Sequence, residues 1–176
     1  LISPCNSLIQ VGIVDDIAPN ETIWSVRFIG NRGYLVTFEN IDPLWVIDLS
    51  NPLDPVILGE LEVPGVSTYI HPVNENTLLT IGIGPGEDGL GLDWSTTQIS
   101  LFDVSDPTNP TLADSMPISP AYIDENCEDI RICGWSWSWS EATYEHKAFT
   151  YWAPADLLAI PLSTYRHVYN DESPYY

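Results

Sequence analysis

Trp45-Val46-Ile47-Asp48-Leu49-Ser50-Asn51-Pro52-Leu53-Asp54-Pro55 returns along the chain as Ser100-Leu101-Phe102-Asp103-Val104-Ser105-Asp106-Pro107-Thr108-Asn109-Pro110. Asp48, Ser50, Pro52 and Pro55 map onto Asp103, Ser105, Pro107 and Pro110 at a constant offset of 55 residues. In each copy an apolar run suited to a strand enters the turn, and a second run leaves it. Asp, Asn, Ser and Pro at these places are turn residues, because their side chains bond nearby backbone N–H groups or preset φ. A repeated unit decides the architecture ahead of other sequence signals.

Working outward from the first copy, Ile23–Ile29 reads as a strand, Gly30–Gly33 as a tight turn and Tyr34–Phe38 as a second strand. A loop over Glu39–Pro43 leads to a third strand at Leu44–Leu49, and Val56–Val63 is the fourth. Four strands in residues 22–64 make one antiparallel meander. Its length is that of one propeller blade, about 40–45 residues in the best-known repeats. The second copy starts at Gly65, with strands at Ser67–Pro72, Thr77–Ile81, Gln98–Val104 and Thr111–Ile118. Ser25 aligns with Thr68 at an offset of 43, against 55 for the turns. The surplus of 12 residues places an insertion in the Gly-rich stretch 82–97, between the second and third strands.

The expected organisation is therefore an all-β chain: a β-propeller segment with two full four-stranded antiparallel blades plus parts of flanking blades. Residues 1–21, with a strand at Leu8–Val14, read as the last strand of a preceding blade. Residues 22–64 are one blade, and 65–118 a second carrying the insertion. Residues 119–140 form a Cys/Trp-rich connection, and 141–176 a partial blade and tail, with strands expected at Ala142–Trp152 and Leu157–Leu162. Fifteen prolines argue against long helices. Propellers close with about four to eight blades, so the missing ones are expected from the rest of the polypeptide or from a protein partner.

Charge narrows the function. The 176 residues carry 25 acids against five Lys and Arg, a net charge of −20, and Lys147 is the one lysine. Such a surface repels phosphate backbones and anionic membranes, which argues against nucleic-acid binding. It suits cations or basic partners. The chain opens on Leu1 with no charged segment ahead of an apolar core, which predicts a processed or partial chain; no apolar run is long enough for a membrane span. Cys127 and Cys133 lie close together without histidines at zinc spacing, so a disulfide is expected, with reduced thiols as the alternative and Cys5 left over. Asn20-Glu21-Thr22 fits a glycosylation sequon.

Four groups of residues have the chemistry for a site. The acidic turns around Asp48 and Asp103 have oxygen ligands for calcium, but the turn role explains them better. In the insertion, Glu87, Asp88 and Asp93 are candidate calcium ligands in a Gly-rich frame, against the reading of a solvated loop. His71 and His146 share a local word, Thr68-Tyr69-x-His71 and Thr143-Tyr144-x-His146. On the first strands of two blades both would face a central channel, as ligands or as hydrogen-bonding wall residues. Trp135, Trp137 and Trp139 alternate with serine, so a strand puts three indoles on one face, for stacking on sugars or for burial in a contact. No serine sits in a Gly-x-Ser-x-Gly elbow.

Longer words sharpen this reading: Trp24-Ser25-Val26-Arg27-Phe28-Ile29-Gly30-Asn31-Arg32-Gly33-Tyr34-Leu35-Val36-Thr37-Phe38, then Asp42–Ser50, Leu58–Pro72, Ser100–Pro110 and Ser140–Phe149, in that order. Over about residues 9–162 the chain resembles the family of secreted bacterial and archaeal proteins with a C-terminal β-propeller domain. The resemblance implies a propeller and an extracytoplasmic location, secreted or at the cell surface. It implies no enzyme activity and no cofactor. The Cys/Trp-rich connection has no match in the family pattern. The expected role is a non-catalytic binding or assembly scaffold in an extracellular complex. The alternative is a substrate- or glycan-binding part of an extracellular enzyme, using the channel or the Trp135–Trp139 face.

Overall fold

A computed structural model of the chain describes residues 9–38, 42–86, 89, 91–118 and 135–167. Two four-stranded antiparallel sheets dominate it. The first runs β1 (Thr22–Ile29), β2 (Arg32–Phe38), β3 (Asp42–Asp48), β4 (Val56–Val63), in that order. The second repeats the meander with β5 (Val66–Asn74), β6 (Thr77–Pro85), β7 (Leu92–Asp103) and β8 (Thr111–Ile118). A third, smaller unit pairs β9 (Trp135–Trp139) with β12 (Ser163–His167), and β10 (Thr150–Trp152) with β11 (Leu157–Ala159). No described helix is long and apolar enough to cross a membrane.

Local chemistry sets the strand ends. Gly30 takes φ +57° at the β1–β2 turn, a conformation that side chains with a Cβ resist. The repeated turn is held the same way in both sheets. Ser50 N donates to Asp48 Oδ1 at 2.8 Å, and Ser105 N to Asp103 Oδ1 at 2.9 Å. Leu53 N donates to Asn51 Oδ1 at 3.2 Å, and Thr108 N to Asp106 Oδ1 at 3.0 Å. These bonds consume the acidic oxygens locally, as the turn reading requires.

Period-two alternation then sorts the side chains. Tyr34, Val36, Leu44 and Val46 of the first sheet meet Val66, Ile70, Leu78, Phe102 and Val104 of the second in one buried cluster. The opposite face of the second sheet, with Ile81 and Ile99, packs on Ala142 and Phe149 of the third unit.

The structure corrects three expectations. Residues 9–21 contain no strand, because no described residue offers them a ladder. Gly12 instead crosses the first Asp-x-Ser turn, where a Cβ would overlap the Pro52 carbonyl oxygen. Gly59 of β4 crosses the second turn, where a Cβ would lie 2.8 Å from the Pro107 carbonyl oxygen. The 82–97 insertion is not a loop throughout: β6 continues to Pro85 and β7 begins at Leu92, with a register shift between Ile83 and Gly84. Glycine there permits close approach, since a Cβ on Gly82 would overlap the Val66 carbonyl oxygen. Finally, the strand expected over Ala142–Trp152 is confined to Thr150–Trp152. Two 3-10 turns, Glu141–Thr143 and His146–Ala148, take the earlier part. The Ser140 and Glu145 side chains cap them by accepting from Ala142 N and Lys147 N, and so win the backbone away from a ladder.

Candidate functional site

The innermost strands of the two sheets, β1 and β5, lie side by side. Ser25 Oγ donates across to the Ser67 carbonyl at 2.8 Å, and Thr68 Oγ1 donates to the Ile81 carbonyl at 3.1 Å. Beyond this seam the two copies of the Thr-Tyr-x-His word converge. Tyr69 stacks on His146 (6.3 Å between ring centres, 28° between planes) and meets Phe149 edge-on at 5.0 Å. His71 sits 6.4 Å from Tyr69, 5.4 Å from Phe149 and 5.1 Å from Tyr151. The two histidines thus belong to one aromatic cluster around Tyr69, although His146 reaches it from a 3-10 turn and not from a strand. Burial, and secondarily the Arg27 guanidinium, hold the His71 imidazole below its ordinary pKa. His146 Nδ1 is 3.9 Å from Glu145 Oε1 on the exposed side, too long for a strong pair.

Two adjoining clefts open beside this cluster. One, of about 320 Å³, is lined by Arg27, Tyr69, Thr143, Tyr144 and His146 among others. Arg27 has no carboxylate partner within ion-pair reach among the described residues. The other, of about 190 Å³, is walled by Trp24, Trp94, Trp139 and Tyr144. Thr68, Thr143 and Tyr144 line both. Trp24 and Trp94 lie 6.1 Å apart, and Trp139 stacks on Tyr144 at 5.5 Å and 29°.

Each wall has a structural cause. A register shift between Ile23 and Ser25 re-aims Trp24. The inserted hairpin extension carries Trp94, which is 68% exposed. Ser138 pins β9 to the second sheet, accepting from Thr97 N at 3.1 Å and donating to the Ile118 carbonyl oxygen, and so places Trp139.

Trp137 and Trp139 lie on one strand, β9, within the stretch expected as a connection. Their faces are partly taken by the chain's own tyrosines: Trp137 stacks on Tyr165 at 6.0 Å and 21°. Arg27, Trp24, Trp94 and Tyr144 escaped notice, since they come from four separate stretches. Scarcity was the available signal: Arg27 is one of only five Lys and Arg residues. Asp93 is spent locally, accepting from Ser95 N at 2.9 Å, Ser95 Oγ at 2.5 Å and Thr96 Oγ1 at 2.7 Å. Glu87, Asp88, Cys5, Cys127, Cys133 and the Trp135 side chain lie outside the described residues. Among those described, no three His, Cys, Asp or Glu side chains converge as a metal site. The arrangement is one of binding surfaces: flat aromatic faces, hydroxyls and one unpaired guanidinium.

An uncharacterized protein of Methanocaldococcus jannaschii is 45% identical over 118 residues, covering 65% of this chain and 18% of that protein. One of Archaeoglobus fulgidus is 44% identical over 100 residues, covering 57% of this chain and 15% of that protein. The chain thus spans under a fifth of the length of these curated relatives. No solved structure matches it significantly. The model of the beta propeller domain matches residues 4–176, and with its repeated antiparallel four-stranded sheets the chain belongs to that family.

Proposed function

We propose that this chain is a non-catalytic segment of a secreted β-propeller, acting as a binding and assembly scaffold in an extracellular complex. The outer face of the first sheet carries the proposal. The register aligns Phe28, Gly33, Ile47 and Ile57 in one row, and Val26, Leu35, Trp45 and Glu60 in the next. This is the face opposite Tyr34 and Val46. Val26, Phe28 and Ile57 are exposed on it, Phe28 at 68%. Leu35 between them is buried, so the exposed apolar surface lies along the β1 and β4 sides of this face, and apolar surface left in water is costly and marks a contact. Its natural cover is another four-stranded sheet, as the second sheet covers the first sheet's inner face.

Native mass spectrometry and sedimentation of the chain, with an apolar dye as reporter, test this. Expected are dye binding and self-association, both lost in Phe28→Glu with circular dichroism unchanged. A strictly monomeric wild-type chain that binds no dye overturns the reading. Cell fractionation tests the location, and a cytoplasmic pool would count against it. A second reading is favoured by the aromatic cleft: the channel side and the Trp137–Trp139 strand serve an extracellular enzyme by holding a substrate such as a glycan.

A further inference from the structure

We infer that the joined clefts between β1, β5 and the 141–148 turns bind an anionic saccharide, with a sugar ring against Trp94 and Trp139 and its acid group on Arg27. The inference rests on the cleft as a binding site, and not on assembly through the outer sheet face, so the two fail separately.

Arg27 is the starting point. Among the described residues Arg27 is within ion-pair reach of no carboxylate, and unlike Arg32, which donates to the Val104 carbonyl, it makes no side-chain hydrogen bond. It lines an open cleft instead. A guanidinium presents a planar fork of donors suited to carboxylate, sulfate or phosphate oxygens. The −20 charge of the whole chain opposes an anion at long range, but at physiological salt that field decays over about 8 Å. At contact distance the local cation decides. Two carboxylates, Glu141 and Glu145, act on Tyr144 at the edge of the cleft, and Glu145 Oε1 is 3.9 Å from His146 Nδ1, so the acid group has to seat on the Arg27 side.

The aromatic cleft supplies the rest. At about 190 Å³ it falls below the ~300–1,000 Å³ of pockets for drug-sized ligands, so it suits a single ring. Its walls are flat indole and phenol faces, edged by the hydroxyl residues Thr68, Thr96 and Thr143. A pyranose has the matching surface: an apolar C–H face for the rings and a hydroxyl rim for the threonines. An extended acidic peptide would use Arg27 but would leave the flat walls unfilled. Because the clefts share Thr68, Thr143 and Tyr144, one ligand spans both.

The intact chain is titrated calorimetrically, and by tryptophan fluorescence, with trigalacturonate and with its carboxyl-reduced neutral counterpart. A triglutamate peptide is the third probe. The acidic sugar is expected to bind about tenfold more tightly than the neutral one, the scale of one charge-assisted contact. Arg27→Gln should erase that preference. Trp94→Ala, at an exposed position that the fold does not need, should weaken both sugars by about tenfold. Equal affinity for the two sugars, an unaltered preference in Arg27→Gln, triglutamate binding as tight as trigalacturonate, or no binding of either sugar would each overturn the inference.

Discussion

The two sheets share a turn, a strand order and a register logic, but they stand in different surroundings. The second sheet is covered on both faces, by the first sheet on one side and by Ala142 and Phe149 on the other. The first sheet is covered on one face, and its other face shows Val26, Phe28 and Ile57 to solvent. The same repeat therefore yields one interior sheet and one boundary sheet. Burial is a property of the neighbours and not of the repeat, so equivalent-looking isoleucines differ in what they contribute.

The largest effects should come from testing that difference directly. Ile81 is fully buried on the second sheet's outer side, and Phe102 is 1% exposed between the sheets. Truncation removes transfer energy and leaves a cavity, so Phe102→Ala should cost about 3–5 kcal/mol and Ile81→Ala about 2–5 kcal/mol. Ile57→Ala, on the uncovered face at 39% exposure, should cost under about 1 kcal/mol. Urea denaturation of the three variants measures this. Should Ile57→Ala lose as much as Ile81→Ala, the first sheet's outer face is covered after all, and the comparison collapses.

Much of this architecture is legible in the sequence where punctuation is strong. The Asp-x-Ser-Asx-Pro turn stops one strand and starts the next, so the starts of β4 at Val56 and β8 at Thr111 follow from it directly. Legibility fails where a residue has two uses. Gly82 and Gly84 look like strand breakers, yet in β6 they admit a neighbouring backbone or the Thr96 side chain. Residues 142–149 alternate like a strand, yet side-chain caps from Ser140 and Glu145 fold them into 3-10 turns. The joined clefts were invisible for a further reason. Trp24 is aimed by a register shift, Trp94 by the length of a hairpin and Trp139 by the buried Ser138. None of these is a pattern in adjacent residues.

Intermediate effects are expected at the glycines that cross the repeated turns. Gly59 is held in the β4 ladder, so a methyl group 2.8–2.9 Å from the Pro107–Thr108 backbone has little room to yield. Gly59→Ala should cost about 1–3 kcal/mol, the usual range for overpacking. Gly12 makes the same approach to Pro52 from a segment without a ladder, which can lift away. Gly12→Ala should therefore cost under about 1 kcal/mol. Equal losses in urea would mean that residues 9–14 are anchored as firmly as β4.

The smallest and most selective contrast lies in the turn carboxylates. Asp48 and Asp103 are both held below the ordinary aspartate range, in each case mainly by the backbone N–H of the serine two residues on, then by its hydroxyl. Asp48 alone has a further cause, the Arg32 guanidinium. A carboxyl whose folded pKa is depressed contributes stability above its unfolded value, near 3.9, and loses it as pH falls through the folded value. Both turns should therefore keep their bonds down to below pH ~3.9 and weaken together under it. Both carboxylates are exposed, so added salt screens the Arg32 part and leaves the serine bonds. Carboxyl carbon NMR titration of wild type and Arg32→Gln separates the two. The variant should raise Asp48 by a small amount and leave Asp103 where it was. Arg32 also donates from Nη1 to the Val104 carbonyl at 3.2 Å, a link from the first sheet into the second turn. If Asp103 shifts as far as Asp48, that link, and not charge, sets the geometry of both turns, and the two sheets are more tightly coupled than their separate ladders imply.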